Sequence, residues 1–157
     1  MSTRIDIIYV NYKSLDKICK SIKDFISLLK KCDIEGEIYV IDNSFNLDNN
    51  KSVKNLYDFC SKNRSEKYKI NYFPSDLNLG FGKACNKAAK LGSSKNIIFV
   101  NCDTRFHLTD PQIFSNFLNS LKDDIAIAGP KVISEKERLQ DSCFKYDYIS
   151  ILTKPFR

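Results

Sequence analysis

Apolar and polar positions follow two rhythms along the chain. Ile5–Val10 (IDIIYV), Glu37–Ile41 (EIYVI), Tyr68–Phe73 (YKINYF) and Asn96–Val100 (NIIFV) are short runs rich in Ile, Val and aromatic residues. Such runs predict strands buried on both faces. Between them the period lengthens. From Leu15 the apolar positions are Ile18, Cys19, Ile22, Phe25, Ile26 and Leu29, and later Val53, Leu56, Tyr57 and Cys60. Intervals of three and four place each set on one face of a helix. Turn formers separate the elements: Asn11–Ser14, a break at Gly36, Asp42-Asn43-Ser44 running on through residue 51, Pro74-Ser75-Asp76, and Asn101–Thr104.

The later half continues the pattern. Asn78–Leu91 (NLGFGKACNKAAKL) reads as a glycine-containing loop entering an alanine-rich helix. Asp110-Pro111 reads as an N-cap followed by proline at the first helical position, opening a helix to about Leu121. Ile125–Ala128 is expected to be a fifth strand stopped by Gly129-Pro130, and Val132–Phe144 a short hairpin turning at Glu135-Lys136-Glu137. Strands separated by helices predict β-α-β units and a mostly parallel sheet with helices on both faces. The fold class is α/β, in a single domain over 1–157, with no internal repeat or low-complexity tract.

Composition narrows the class. The 157 residues are 43% apolar and 28% charged, globular proportions with enough length for one full core. No apolar stretch approaches the ~18 residues of a spanning helix. No basic n-region with an apolar h-region precedes the first strand, so a soluble, cytoplasmic protein is expected. Six cysteines (19, 32, 60, 85, 102 and 143) are scattered without a C-x-x-C or short Cys/His pair, which argues against zinc or dithiol redox chemistry and for reduced, near-core thiols. Twenty-five Lys+Arg against 19 Asp+Glu give a net charge of +6, which favours an anionic partner. Nucleic acid is not expected, because the aromatics fall on apolar-periodic positions rather than among an exposed basic stripe.

In an open parallel sheet, ligands bind beyond the carboxyl ends of the strands. Those ends carry Asn11-Tyr12, Asp42-Asn43 and Asn101-Cys102-Asp103. Familiar phosphate devices are missing. The loop after the first strand (NYKS) has no glycine for a G-x-G-x-x-G turn. Gly82-Lys83 lacks both the upstream glycine of a Walker A motif (Leu77 stands there) and the following Ser or Thr (Ala84). Asp6 lies within its strand, not in an acidic pair at the strand end, and no G-x-S-x-G elbow accompanies the single histidine.

IDIIYVNYKS, IYVIDNS, NLGFGKACNKA and IIFVNCDTRF, in that order, resemble the family 2 inverting glycosyltransferases of GT-A fold, and among them the rhamnosyltransferase-like members. The resemblance runs from about Ile5 to Phe144. It rests on four motifs placed after successive strands; any one alone would be weak. It implies that Asn11 and Tyr12 contact the nucleotide base, Tyr12 lying against a pyrimidine ring. An aromatic packed over the sheet end is the other account of Tyr12. Asp42 matches the family aspartate that accepts from a base N–H, and an acceptor-only carboxylate suits a uracil or thymine imide. A turn-forming Asp in D-N-S is its other account.

Asn78, Gly80, Gly82 and Asn86 match the family's N-x-G-x-x-x-x-x-N segment along ribose and diphosphate. Glycines admit a close ligand, and a helix N-terminus favours phosphate. Lys83 sits on that first turn, where it could face the diphosphate, and reads rather as a solvated side chain. Asn101-Cys102-Asp103 stands at the D-x-D position, whose carboxylates hold a divalent metal. Here Asn101 replaces the first acid, a departure shared by rhamnosyltransferase-like members. One carboxylate, Asp103, suffices for Mg²⁺ or Mn²⁺ if waters and nucleotide phosphates complete the shell. A turn-capping role is the alternative for Asp103. His107 and Asp123-Asp124 read as loop residues. Lysines 13, 17, 20, 23, 30 and 31 make the first helix basic outside, a solvated face that would also suit peripheral contact with anionic lipid.

Inverting transfer needs a base for the acceptor hydroxyl. The resemblance places that carboxylate after the hairpin, so the chain is expected to be the donor half of a longer enzyme. Asp147 is not assigned the role, and the catalytic residue stays unknown. The implied ligand is a pyrimidine-diphosphate sugar (dTDP-rhamnose or a UDP-sugar), and the implied acceptor a saccharide or lipid-linked precursor. The competing account is a non-catalytic nucleotide-binding or scaffolding module completed by a partner chain. Self-association through an uncovered sheet edge stays open as well.

Overall fold

The computed structural model describes residues 4–44, 50–106, 110–122, 125–134 and 138–140, with side chains at 50–52 and 140 left aside. In chain order the elements are β1 (Arg4–Asn11), α1 (Leu15–Cys32), β2 (Glu35–Asp42), α2 (Asn50–Lys62), β3 (Tyr68–Pro74), α3 (Phe81–Ala89), β4 (Asn96–Val100), α4 (Gln112–Ser120), β5 (Val132–Ile133) and β6 (Leu139–Gln140). They fall into two compact units, Met1–Asn119 and Ser120–Arg157.

In the first unit four strands form one parallel sheet in the order β3-β2-β1-β4. Side chains alternate across it. Ile5, Ile7 and Tyr9 of β1 and Ile38 and Val40 of β2 are fully buried on one face with Ile18, Ile22, Phe25 and Leu29 of α1 and Leu56 of α2. The tie between layers is direct: the Tyr9 hydroxyl and Ser21 Oγ of α1 are 3.1 Å apart. On the other face Ile8, Tyr39 and Ile41 pack against Ala84, Cys85 and Ala88 of α3. The small side chains there let α3 lie close to the sheet. At roughly 1.5–3 kcal/mol for each large apolar side chain buried, these two layers dominate the stability.

Helix α1 buries its predicted stripe and leaves Lys17, Lys20, Lys23, Lys30 and Lys31 exposed. It ends at Asp33 in the left-handed region (φ 54°), where the Ile34 N–H returns to the Leu29 carbonyl at 3.1 Å. Phe25 meets Phe106 and Phe114 edge-on, with centroids 4.4 and 5.9 Å apart, which brings α4 onto the α1 face. Asp110 caps α4 as expected, its Oδ1 accepting from the Gln112 N–H at 2.9 Å.

Two expectations need correction. Gly36 does not break the chain; it lies inside β2, paired with Ile5 and Tyr68. A Cβ there would stand 2.8 Å from Leu29 Cδ1 and 3.0 Å from Ile7 Cδ1, so the position demands a missing side chain, not a turn. Ile125–Ala128 is not a strand. Its alternation is right, but Ile125 and Ile127 are 44% and 92% exposed, and no described segment hydrogen-bonds alongside it. Strand propensity reflects packing against neighbours and fails without them.

In the second unit the hairpin is present, antiparallel, with Val132 opposite Gln140 and Ile133 opposite Leu139. Its turn at residues 135–137 and the stretch 141–144 lie outside the described residues, as do His107, Asp123, Asp124, Cys143 and Asp147. The five described cysteines are free thiols: Cys60 and Cys85 buried, Cys19, Cys32 and Cys102 half-buried. No described helix is long and apolar enough to cross a membrane.

Candidate functional site

All four parallel strands end on the same edge. The chain runs β1, β2, β3 in one direction across the sheet and then returns to the far side of β1 for β4. The reversal opens a crevice between the loops after β1 and β4, where an open α/β sheet offers its ligand site. A thiol bridges that crevice: Cys102 Sγ lies 3.0 Å from the Val10 carbonyl oxygen and donates to it. Burial, with Asp103 nearby, pushes the Cys102 thiol up to about 12, so it stays a protonated donor. Turned inward, it leaves Asn101 and Asp103 exposed on either side.

Asn11 and Asp42 are register partners at the ends of β1 and β2, 3% and 1% exposed. Asp42 is the hub of a polar network. Its Oδ1 accepts from Asn11 Nδ2 at 2.9 Å, from the Ser44 N–H at 3.0 Å and from the Ser44 hydroxyl at 2.6 Å. Its Oδ2 accepts from the Tyr72 hydroxyl of β3 at 2.6 Å. Asn11 Nδ2 also donates to Ser44 Oγ at 3.2 Å, while its Oδ1 accepts from the Ser14 N–H at 3.2 Å. A buried carboxylate is tolerable only when so satisfied. Burial and the Asp42 bond both raise the Tyr72 hydroxyl far above the ordinary tyrosine value, which keeps it a donor. Tyr57, 55% exposed, meets Tyr72 edge-on at 6.1 Å.

Asn43 ties this cluster to the glycine loop, donating to the Gly80 carbonyl and accepting from the Leu79 N–H, each at 3.4 Å. Asn78 Oδ1 accepts from the Gly80 N–H at 2.9 Å. Gly80 has φ +73° and precedes α3; a side chain would strain there even though a Cβ would meet nothing within 4 Å. Gly82, Lys83 and Asn86 are exposed on the first turns of α3. The first N–H groups of a helix lack intrahelical partners, so this open start faces solvent with unspent donors.

Tyr12 is 46% exposed, with the Lys13 ammonium 5.7 Å from its ring. The structure thus brings Asn11, Asp42, Asn78, Gly80 and the start of α3 together through named bonds. Asn101 and Asp103 stand on the same sheet edge, joined to it through Cys102 and Val10. Among the described residues no three His, Cys, Asp or Glu side chains cluster as a metal cage. Asp103 and Asn101 offer exposed oxygen donors, a set that fits a hard divalent cation completed by waters and phosphates. The sequence reading places Asn43 at a ligand-facing strand end without a role; it missed Ser44, taken only as a turn former, and Tyr72, taken only as a strand residue.

Fold and edge together define a GT-A-type α/β domain with its ligand-facing loops at the carboxyl ends of the strands. The chain belongs to glycosyl transferase family 2, whose profile matches residues 6–152. No curated protein sequence matches it. Among solved structures it is similar to the mannosyltransferase PcManGT from Pyrobaculum calidifontis, in complex with GDP-Man and Mn²⁺, at TM-score 0.62 and 13% identity over 79% of this chain and 34% of that one. It is also similar to S. aureus TarS 1–349 with UDP, at TM-score 0.52 and 18% identity over 87% of this chain and 43% of that one. With UDP-GlcNAc, TarS 1–349 aligns at TM-score 0.50 and 20% identity over 74% and 30%. The chain thus spans 34%, 43% and 30% of the lengths of these three structures.

Proposed function

We propose that this chain is the donor-binding part of an inverting glycosyltransferase that takes a pyrimidine-diphosphate sugar, dTDP-rhamnose or a UDP-sugar, for transfer to a saccharide or lipid-linked acceptor in polysaccharide synthesis. The observation that carries the reading is the Asp42 carboxylate, fixed by four hydrogen bonds beside the Asn78–Gly80 loop. In this reading Asp42 accepts from the ring N–H of the base, and Asn11 holds the carboxylate in place. Tyr12, exposed beside it, lies against the ring. Asn78, Gly80, Gly82 and Asn86 line the ribose and diphosphate, with the open start of α3 toward the phosphates. Asp103 and Asn101 would hold Mg²⁺ or Mn²⁺, which supplies charge neutralisation to the departing diphosphate. The exposed lysines of α1 face an anionic membrane surface when the acceptor is lipid-linked.

Calorimetric titration of UDP, dTDP and GDP, each with and without Mn²⁺, against the wild type and Asp103→Ala tests this. Metal-dependent binding of UDP or dTDP that Asp103→Ala abolishes is expected. Failure of every nucleotide to bind would sink the reading and favour a scaffolding module.

A further inference from the structure

The two oxygens of Asp42 are not equivalent. Oδ1 already accepts three hydrogen bonds, from Asn11 and twice from Ser44, which exceeds its two lone-pair directions. Oδ2 accepts one, from the Tyr72 hydroxyl at 2.6 Å, and keeps one direction. A carboxylate so occupied cannot grip guanine through two adjacent donors, N1–H and N2–H, which needs both oxygens. It can take one ring N–H, at Oδ2. The phenol that shares Oδ2 is half-buried, and its ring is steadied by Tyr57 edge-on at 6.1 Å and 74°.

Resting on the pyrimidine reading above, we propose that Tyr72 is a specificity-determining residue: its hydroxyl caps Asp42 Oδ2 in the free protein and turns to a carbonyl oxygen of a uracil or thymine as the imide N–H arrives at Oδ2. An imide places a donor directly beside an acceptor, N3–H beside O4 and O2. Asp42 and Tyr72 present the complementary acceptor and donor. Rotation of the phenolic proton about its C–O bond redirects the donor from Oδ2 to the base. One hydrogen bond within the protein is replaced by two to the base. Cytosine, with an acceptor at N3, would place a lone pair against the carboxylate and is rejected.

The test compares UDP, 4-thio-UDP and 2-thio-UDP, titrated at fixed Mn²⁺ against the full-length wild type and Tyr72→Phe. Sulfur accepts hydrogen bonds poorly while N3–H is kept. Tyr72→Phe should weaken UDP roughly fivefold, the worth of one neutral hydrogen bond. For one of the thio ligands the two proteins should agree within about twofold, because that ligand has already lost the bond. Equal weakening with all three ligands would assign Tyr72 a purely structural role and overturn the proposal. So would UDP binding unchanged by Tyr72→Phe. If the wild type binds no UDP at all, the pyrimidine reading falls and this inference with it. Thermal melting of Tyr72→Phe, expected several degrees below wild type but still one cooperative transition, separates loss of a contact from loss of the fold.

Discussion

Replacing Asn11 by alanine removes three interactions from the end of β1 at once. Its Nδ2 donates to the Asp42 carboxylate at 2.9 Å and to Ser44 Oγ at 3.2 Å, and its Oδ1 accepts from the Ser14 N–H at 3.2 Å. A hydrogen bond to a charged group contributes about 1.5–3 kcal/mol net, and a neutral one about 1 kcal/mol. Asn11 is 3% exposed, yet it sits at the sheet end, where water can reach the gap and recover part of the loss. The expected cost is therefore about 2–4 kcal/mol, a large share of the 5–15 kcal/mol that holds a typical domain.

Urea unfolding followed by circular dichroism reads it directly. With a slope near 2 kcal/mol/M, the midpoint should fall by about 1–2 M while the slope stays constant. Ser44→Ala alone should cost less, since the Asp42 carboxylate keeps its bonds from Asn11, Tyr72 and the Ser44 backbone. The double variant should depart from additivity by more than about 0.5 kcal/mol, because both side chains act on the same oxygen. Tyr12→Ala, at an exposed position, should stay within about 0.5 kcal/mol of wild type. An Asn11→Ala shift below about 0.5 kcal/mol would refute the idea that Asn11 holds the buried charge.

The opposite end of β1 offers a steric test. Asp6 is 1% exposed and accepts from the Ser94 N–H at 2.8 Å and the Ser94 hydroxyl at 2.7 Å, while a Cβ on Gly92 would lie 2.1 Å from its Oδ2. Gly92→Ala should therefore cost about 1–3 kcal/mol in the same urea assay, and a neutral result would mean the Asp6–Ser94 clasp is not rigid. A second expectation concerns alkaline pH. Burial pushes Cys60 and Cys102 from their ordinary value of 9.0 up to about 12, and it raises Tyr9 beyond its usual range. The folded chain thus keeps protons that the unfolded chain releases. Stability fully present below about pH 9 should fall steadily as the pH rises toward 12, and a urea midpoint flat from about pH 8 to 11 would contradict the burial of these groups.

The architecture was readable because each apolar run is followed at once by a turn former, and those turn formers (Asn11, Asp42, Asn101) mark the ligand edge of any parallel sheet. Gly36 and Ile125–Ala128 were misread for opposite reasons. A glycine inside a strand looks like a break when the side chains it makes room for, Leu29 and Ile7, are distant in sequence or on another element. An Ile-Ala alternation looks like a strand whether or not a neighbour is there to pair with it. Tyr72 escaped notice because hydropathy registers its ring and not its hydroxyl. Asp42 carried two accounts, turn former and base acceptor, and in the sequence only the accompanying motifs favour the second. In the structure they occupy different atoms. The turn uses Oδ1, through the Ser44 N–H and hydroxyl, and the D-N-S stretch closes on it. In the proposed reading a base addresses Oδ2, which Tyr72 covers. The two accounts are therefore compatible: the bonds that shape the turn are those that leave the second oxygen as the one available to a base.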